Sequence, residues 1–131
     1  MDEIWKSIVG YEDLYEVSSL GRVRSIDRVI IKIRNGRQFK ARLRSAIKRP
    51  SSNGSGYVNI ILSRNSTIKT EYVHRLVATA FLPRKAGQEE VNHIDFDKAN
   101  NAASNLQWVS HLENQRHYLM KLTGEIGAQD G

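Results

Sequence analysis

The sharpest alternation of apolar and polar positions lies between Val29 and Arg44, where Val29-Ile30-Ile31-Lys32-Ile33 and Gln38-Phe39-Lys40-Ala41-Arg42-Leu43-Arg44 flank Asn35-Gly36. Two alternating or β-branched runs around an Asn-Gly pair predict a hairpin. Parity then decides the register. A two-residue turn pairs Ile33 with Gln38 and Ile31 with Lys40 and mixes the faces, whereas a three-residue loop Arg34-Asn35-Gly36 pairs Ile31 with Phe39 and Val29 with Ala41. The three-residue loop is the expectation. It gathers Val29, Ile31, Ile33, Phe39, Ala41 and Leu43 on a buried face and leaves Lys32, Lys40, Arg42 and Arg44 on the other.

The remaining periodicities are shorter. Trp5 to Ser25 reads as short strands and a glycine turn at Gly21, with its aromatic residues serving the core. Ser51 to Gly56 is a flexible loop, followed by strands at Tyr57–Leu62 and Thr67–Val73 joined at Arg64-Asn65-Ser66. Val73 to Leu82 has helical spacing, with Leu76, Val77, Ala80 and Phe81 on one side, and Pro83 ends it. A short strand then carries Val91-Asn92-His93, a polar loop follows, and a second strand runs Leu106 to Val109 with Trp108 in the core. Ser110-His111-Leu112-Glu113 is a capping box, which starts a helix that runs to about Lys121, with Gly124 near its end. The fold class is α+β: an N-terminal antiparallel β-sheet region, a helix, and a ββα unit. The expected organisation is a β module over residues 1–50, the ββα unit within 51–124 and a frayed tail at 125–131, all within the length of one domain.

Composition narrows the function. With no cysteine among 131 residues, disulfide scaffolds and thiolate zinc sites are excluded, so any metal is held by nitrogen and oxygen ligands. No apolar run approaches the roughly 18 residues of a spanning helix, and the acidic start Met1-Asp2-Glu3 is unlike a signal peptide, so a soluble cytoplasmic protein with no membrane partner is expected. The net charge is +6, and its distribution says more than its size. Arg22 to Arg49 holds eleven Lys or Arg against one acid, Asp27, while the rest of the chain is acidic or balanced. Like charges packed across a hairpin repel, so a face this cationic makes physical sense against phosphates. Arg22, Arg24, Lys32, Lys40, Arg42 and Arg44 are the candidate nucleic-acid contacts, with Arg75 at the helix start as a secondary one.

Candidate chemistry gathers in the ββα unit. Asn114 occupies the fourth position of the last helix and His117 shares its face, and packing the helix on the hairpin brings Asn114 toward Asn92 and His93. Hydrolysis of a phosphodiester needs a base for the attacking water and a cation for charge on the phosphate and leaving oxygen. His93 can be neutral at physiological pH and serve as that base. Amide oxygens make a weak, hard site suited to Mg²⁺ or Mn²⁺ that keeps most of its waters. Asp95 and Asp97, in a tight Asn-rich loop, are expected to bond backbone amides and shape the turn.

Asn92-His93, Asn105-Leu106-x-Trp108-Val109 and Glu113-Asn114 resemble the motif of HNH endonucleases with a ββα-metal fold, in the cysteine-free branch found among phage and intron-encoded homing enzymes. Tyr15-Glu16-Val17-Ser18 and Gly21-Arg22-Val23-Arg24-Ser25 resemble the nuclease-associated modular domain that often precedes that motif. The resemblance covers roughly residues 5 to 120. It implies a metal-dependent DNA endonuclease acting on double-stranded DNA as a monomer or homodimer, inside a bacterial host and encoded by a phage or mobile element. It implies His93 as general base, Asn114 as a metal ligand, Asn105 as a brace for the loop, and 5′-phosphate and 3′-hydroxyl ends; from their positions alone Asp95 is a supporting turn residue and His117 either lies beside the metal or phosphate or is solvated. Asn92 falls where some relatives carry an aspartate ligand. An amide brings no charge, so a weaker metal site, or one completed by DNA phosphate, is expected. The alternative is a DNA-binding accessory or regulatory protein whose cleavage site is weak or silent.

Overall fold

Trp5–Ser7 (β1), Tyr15–Ser18 (β2) and Val23–Ser25 (β3) pair antiparallel in chain order in the computed structural model, which describes residues 2–124. The tail expected at 125–131 lies outside the described residues. Arg28–Arg34 (β4) and Arg37–Leu43 (β5) form a separate two-stranded ribbon. Ser51–Ser52 (β6), Val58–Arg64 (β7) and Thr67–Tyr72 (β8) make a second three-stranded sheet, so the loop expected at 51–56 contributes a short edge strand. Helix Val73–Phe81 (α1) follows directly, and Glu90–His93 (β9), Leu106–Val109 (β10) and helix His111–Thr123 (α2) complete the ββα unit. This is the α+β class read from the sequence.

One core joins the two ends of the chain. Ile8, Tyr15, Val17 and Val23 from the first sheet pack with Ile60, Leu62, Val73, Val77 and Leu106, all nearly inaccessible. Helix α1 lies at the centre, touching β2, β7, β8, β9 and β10. It turns further than its periodicity suggested: Val73, His74, Val77 and Ala78 are the buried positions, while Leu76, Ala80 and Phe81 are partly buried at the margin.

The β4–β5 ribbon corrects the sequence reading. Ile33 pairs with Gln38, Ile31 with Lys40, Val29 with Arg42 and Lys32 with Phe39, so the turn is the two-residue Asn35-Gly36. Both turn residues have positive φ, 51° and 74°, the backbone of a type I′ turn whose twist matches that of the strands. The expected buried face does not exist: Val29, Ile31 and Ile33 are each more than 60% exposed, and only Ile30, Ala41 and Leu43 are partly covered. No core meets this ribbon, so no burial energy opposes the register that the turn prefers. Lys40 and Arg42 therefore lie on the face with Ile31 and Val29, and Lys32 lies on the opposite one.

Helix α2 is held differently. The capping box is present, Ser110 Oγ accepting from Glu113 N at 3.1 Å while Glu113 Oε1 accepts from Ser110 N at 2.8 Å. Gly124 closes the helix in the left-handed conformation. No residue of α2 is fully buried; it meets β9 through hydrogen bonds of His111 and Asn114 to Glu90, and the loop beyond through Phe96, which contacts His117 and Lys121.

Candidate active site

Strand β9 alternates its side chains. Glu90 and Asn92 point to one face, Val91 and His93 to the other, and β10 pairs Leu106 with His93 and Gln107 with Asn92. Glu90 meets α2: its Oε1 accepts from Asn114 Nδ2 at 2.9 Å and its Oε2 lies 2.7 Å from His111 Nδ1. The Asn114 amide, then the His111 ring, hold the Glu90 carboxyl below the usual carboxylate range. Because the Asn114 nitrogen is committed to Glu90, its oxygen is the atom left to accept or to ligate. Asn92, His93 and Asn114 line one cleft of about 410 Å³, whose other walls include Tyr57, Phe96 and Lys121.

His93 is 6% exposed and lies between α1 and the loop joining β9 to β10. Its Nε2 is 2.8 Å from Asn101 Oδ1, an atom that only accepts, so Nε2 is the nitrogen that carries a hydrogen in this contact. The ring centroid is 5.1 Å from that of His74 and 6.1 Å from that of Tyr57. His74 is itself buried, its Nδ1 has no partner, and burial pushes its pKa down to about 4, with the neighbouring His93 and Arg75 adding to the effect.

The loop carries the other polar residues. Asp95 Oδ1 accepts from Asp97 N and Asn105 Nδ2, and its Oδ2 accepts from Asn100 Nδ2, all at 2.8 to 2.9 Å. Asn100, then the Asp97 amide, lower the Asp95 pKa. Asn105 also accepts from Asp95 N and donates to Asn100 O, so it stitches both ends of the loop together. Asp97 Oδ1 accepts from Ala99 N. Asp95, Asp97 and Asn105 are thus engaged within the loop itself.

Other candidates lie elsewhere. The His117 ring lies tilted against Phe96 at 4.4 Å between centroids and borders a different depression with Trp108 and Arg116. Arg75 donates to Glu89 O at 3.1 Å and sits 5.3 Å from the Trp108 ring. Arg22 is ion-paired with Glu3 and Arg24 with Glu16, both beside the Trp5 ring, and Arg42 pairs with Asp27 at 2.6 Å. Lys32, Lys40 and Arg44 are exposed on or beside the ribbon. Sequence reasoning did not single out Asn101, Glu90 or Tyr57. Only the apposition of elements distant along the chain marks them.

A divalent cation is the group that the resemblance implies for this cleft. Among the described residues, no three His, Cys, Asp or Glu side chains gather as a metal site. Two carboxamides at the cleft remain. Asn92 Nδ2 is buried without a partner, a costly state that a phosphate oxygen or a cation-bound water would relieve while the oxygen ligates. Asn92 and Asn114 therefore fit a hydrated cation held weakly and completed by substrate oxygens.

A ββα hairpin and helix with a buried histidine and two amides, preceded by a small antiparallel module, defines the class. Residues 71–116 match the HNH endonuclease family and residues 3–63 match the NUMOD4 motif, so the chain carries an HNH endonuclease segment behind a NUMOD4 segment. Its relatives include DNA endonuclease I-HmuI of Bacillus phage SP01, 38% identical over 117 residues that take in 85% of this chain and 56% of that protein. The HNH endonuclease L245 of Acanthamoeba polyphaga mimivirus is 34% identical over 113 residues, 86% of this chain and 29% of that one. The structure describing DNA binding and cleavage by the HNH homing endonuclease I-HmuI superposes with a TM-score of 0.70 at 31% identity, over 98% of this chain and 62% of that one. This chain spans 29% to 62% of the length of these relatives.

Proposed function

We propose that this protein is a metal-dependent DNA endonuclease in which His93 is the general base and the products carry 5′-phosphate and 3′-hydroxyl ends. The observation that carries the reading is the meeting of buried His93 with Asn92 and Asn114 in one cleft. His93 Nδ1 takes the proton of the water that attacks phosphorus in line, and Nε2–H stays bonded to Asn101 as the ring becomes cationic. Asn92 and Asn114 would hold Mg²⁺ or Mn²⁺, which supplies charge stabilisation at the scissile phosphate and the leaving 3′ oxygen. Lys121, beside the Phe96 ring, and Lys98, beside Tyr57, border the cleft and can meet neighbouring phosphates. Lys32, Lys40 and Arg44 give the ribbon free cations, and a two-stranded ribbon has the width that a DNA major groove admits.

Supercoiled plasmid incubated with Mg²⁺ or Mn²⁺ tests the reading. Nicking is expected, and His93→Ala should lower its rate by roughly 10² to 10⁴-fold while DNA affinity is kept. Binding without cutting in either metal would sink the enzyme reading and leave a DNA-binding accessory protein, the reading that the uncharged Asn92 favours.

A further inference from the structure

We propose that Asn101 is a positioning residue for His93 and that the N-terminal module completes the active site by seating Asn101 through its Ser18–Gly21 turn. This rests on His93 being the base. Asn101 is 5% exposed, and its amide oxygen is the acceptor for His93 Nε2–H at 2.8 Å. A histidine free to hold its proton on either nitrogen offers the wrong lone pair part of the time. With its Oδ1 turned to the ring, Asn101 offers an acceptor there, which selects the Nε2–H form and fixes the ring plane.

Asn101 lies in irregular backbone between β9 and β10, where the hairpin itself does not fix it. What backs it is the turn between β2 and β3. Ala103 N donates to Ser19 O at 2.8 Å, pinning the loop to that turn. Gly21 lies directly against Asn101: a Cβ on Gly21 would stand 3.0 Å from the Asn101 carbonyl oxygen and 3.1 Å from its carbonyl carbon and Cβ. The turn is stiff in its own right. Buried Ser18 Oγ accepts from Leu20 N and Arg22 N at 3.2 and 3.0 Å, Ser18 N donates to Arg22 O at 2.8 Å, and Gly21 N donates to Ser18 O at 3.0 Å. The turn at Gly21 thus bears on Asn101, and Asn101 on the His93 ring. Two family segments that match separate stretches of the chain share one active site.

The chain contains its own control for strain. Gly10 and Gly21 have nearly the same backbone, φ +87° and +88°, but a Cβ on Gly10 meets nothing within 4 Å. Alanine at either position brings the same left-handed penalty, and only Gly21→Ala also displaces Asn101. The readouts are the imidazole ¹⁵N shifts of His93, assigned with His93→Gln, and single-turnover cleavage beside DNA affinity. In the wild type His93 should be the Nε2–H tautomer. Asn101→Ala and Gly21→Ala should each mix the tautomers and lower cleavage by about 10- to 100-fold, the usual cost of losing a histidine-orienting partner, with DNA affinity within twofold. Asn101→Asp, which keeps an acceptor, should restore the tautomer, and Gly10→Ala should change neither readout. An unchanged tautomer and rate in Asn101→Ala overturns the positioning role, and Gly21→Ala behaving as Gly10→Ala overturns the part played by the module. Should His93→Ala cleave like wild type, the base assignment fails, while the ¹⁵N shifts still judge the contact between Asn101 and His93.

Discussion

The molecule has two hairpins built to opposite rules. The β4–β5 ribbon is seven residues on each side, carries aliphatic side chains in the open and buries almost nothing. The β9–β10 hairpin is four residues on each side and buries Asn92, His93 and Trp108 between two helices. Turn chemistry sets the register of the first, and tertiary packing sets the second. Apolar residues in the ribbon therefore say little about stability, while polar residues in the short hairpin say a great deal about function.

The largest effect that sharpens this contrast is on stability. Leu62, fully inaccessible in the shared core, should lose about 2–5 kcal/mol on replacement by Ala. Ile31→Ser in the ribbon, at 66% exposure, should change stability by no more than about 0.5 kcal/mol. Urea unfolding of both variants measures the difference. A ribbon substitution as costly as the core one would mean that β4–β5 has a covered face after all.

Binding should show the reverse order. Replacing Lys32, Lys40 and Arg44 together with Gln is expected to weaken DNA affinity by about 10- to 100-fold at moderate salt and to flatten the salt dependence by about 0.9 per lost phosphate contact. Cleavage at saturating DNA should be unchanged, because none of the three lines the cleft. Arg22, Arg24 and Arg42 already face Glu3, Glu16 and Asp27, so single substitutions there should matter less. Titration at several salt concentrations reads both numbers.

What was legible in the sequence follows the same division. The capping box at Ser110, the short strands holding His93 and Trp108, and the Asp95 turn are local devices, and each stands in the structure as read. In the ribbon, amphipathic parity favours the three-residue loop, but parity has force only where a core rewards it, and Asn35-Gly36 sets the register. Asn101, Glu90 and His74 carry no local signature. Asn101 is one of several loop asparagines, and its bond to His93 together with the packing of a turn some eighty residues earlier distinguishes it from Asn100. His117 and Arg75 are marked by helical spacing and position, and in the structure they lie against Phe96 and Trp108.

The smallest predicted effect comes from the histidine buried behind the site. Burial holds the His74 pKa at about 4, against about 6.5 when unfolded. Between these values the unfolded chain binds the extra proton, so the stability gained from keeping His74 neutral is complete above about pH 6.5 and is lost as pH falls toward 4. Carboxylates with ordinary unfolded values near 4.5 or below add little above pH 5, which leaves a window between pH 7.5 and 5 for the histidine. The expected loss there is about 1–2 kcal/mol, allowing for water on the cleft side. Urea midpoints at the two pH values should differ in the wild type and differ less in His74→Gln, which cannot take the proton, since His93, His111 and His117 are common to both proteins. The ribbon variants, whose cations stay charged throughout this range, should keep the full pH dependence. Equal pH dependence in His74→Gln would move its origin away from the buried site.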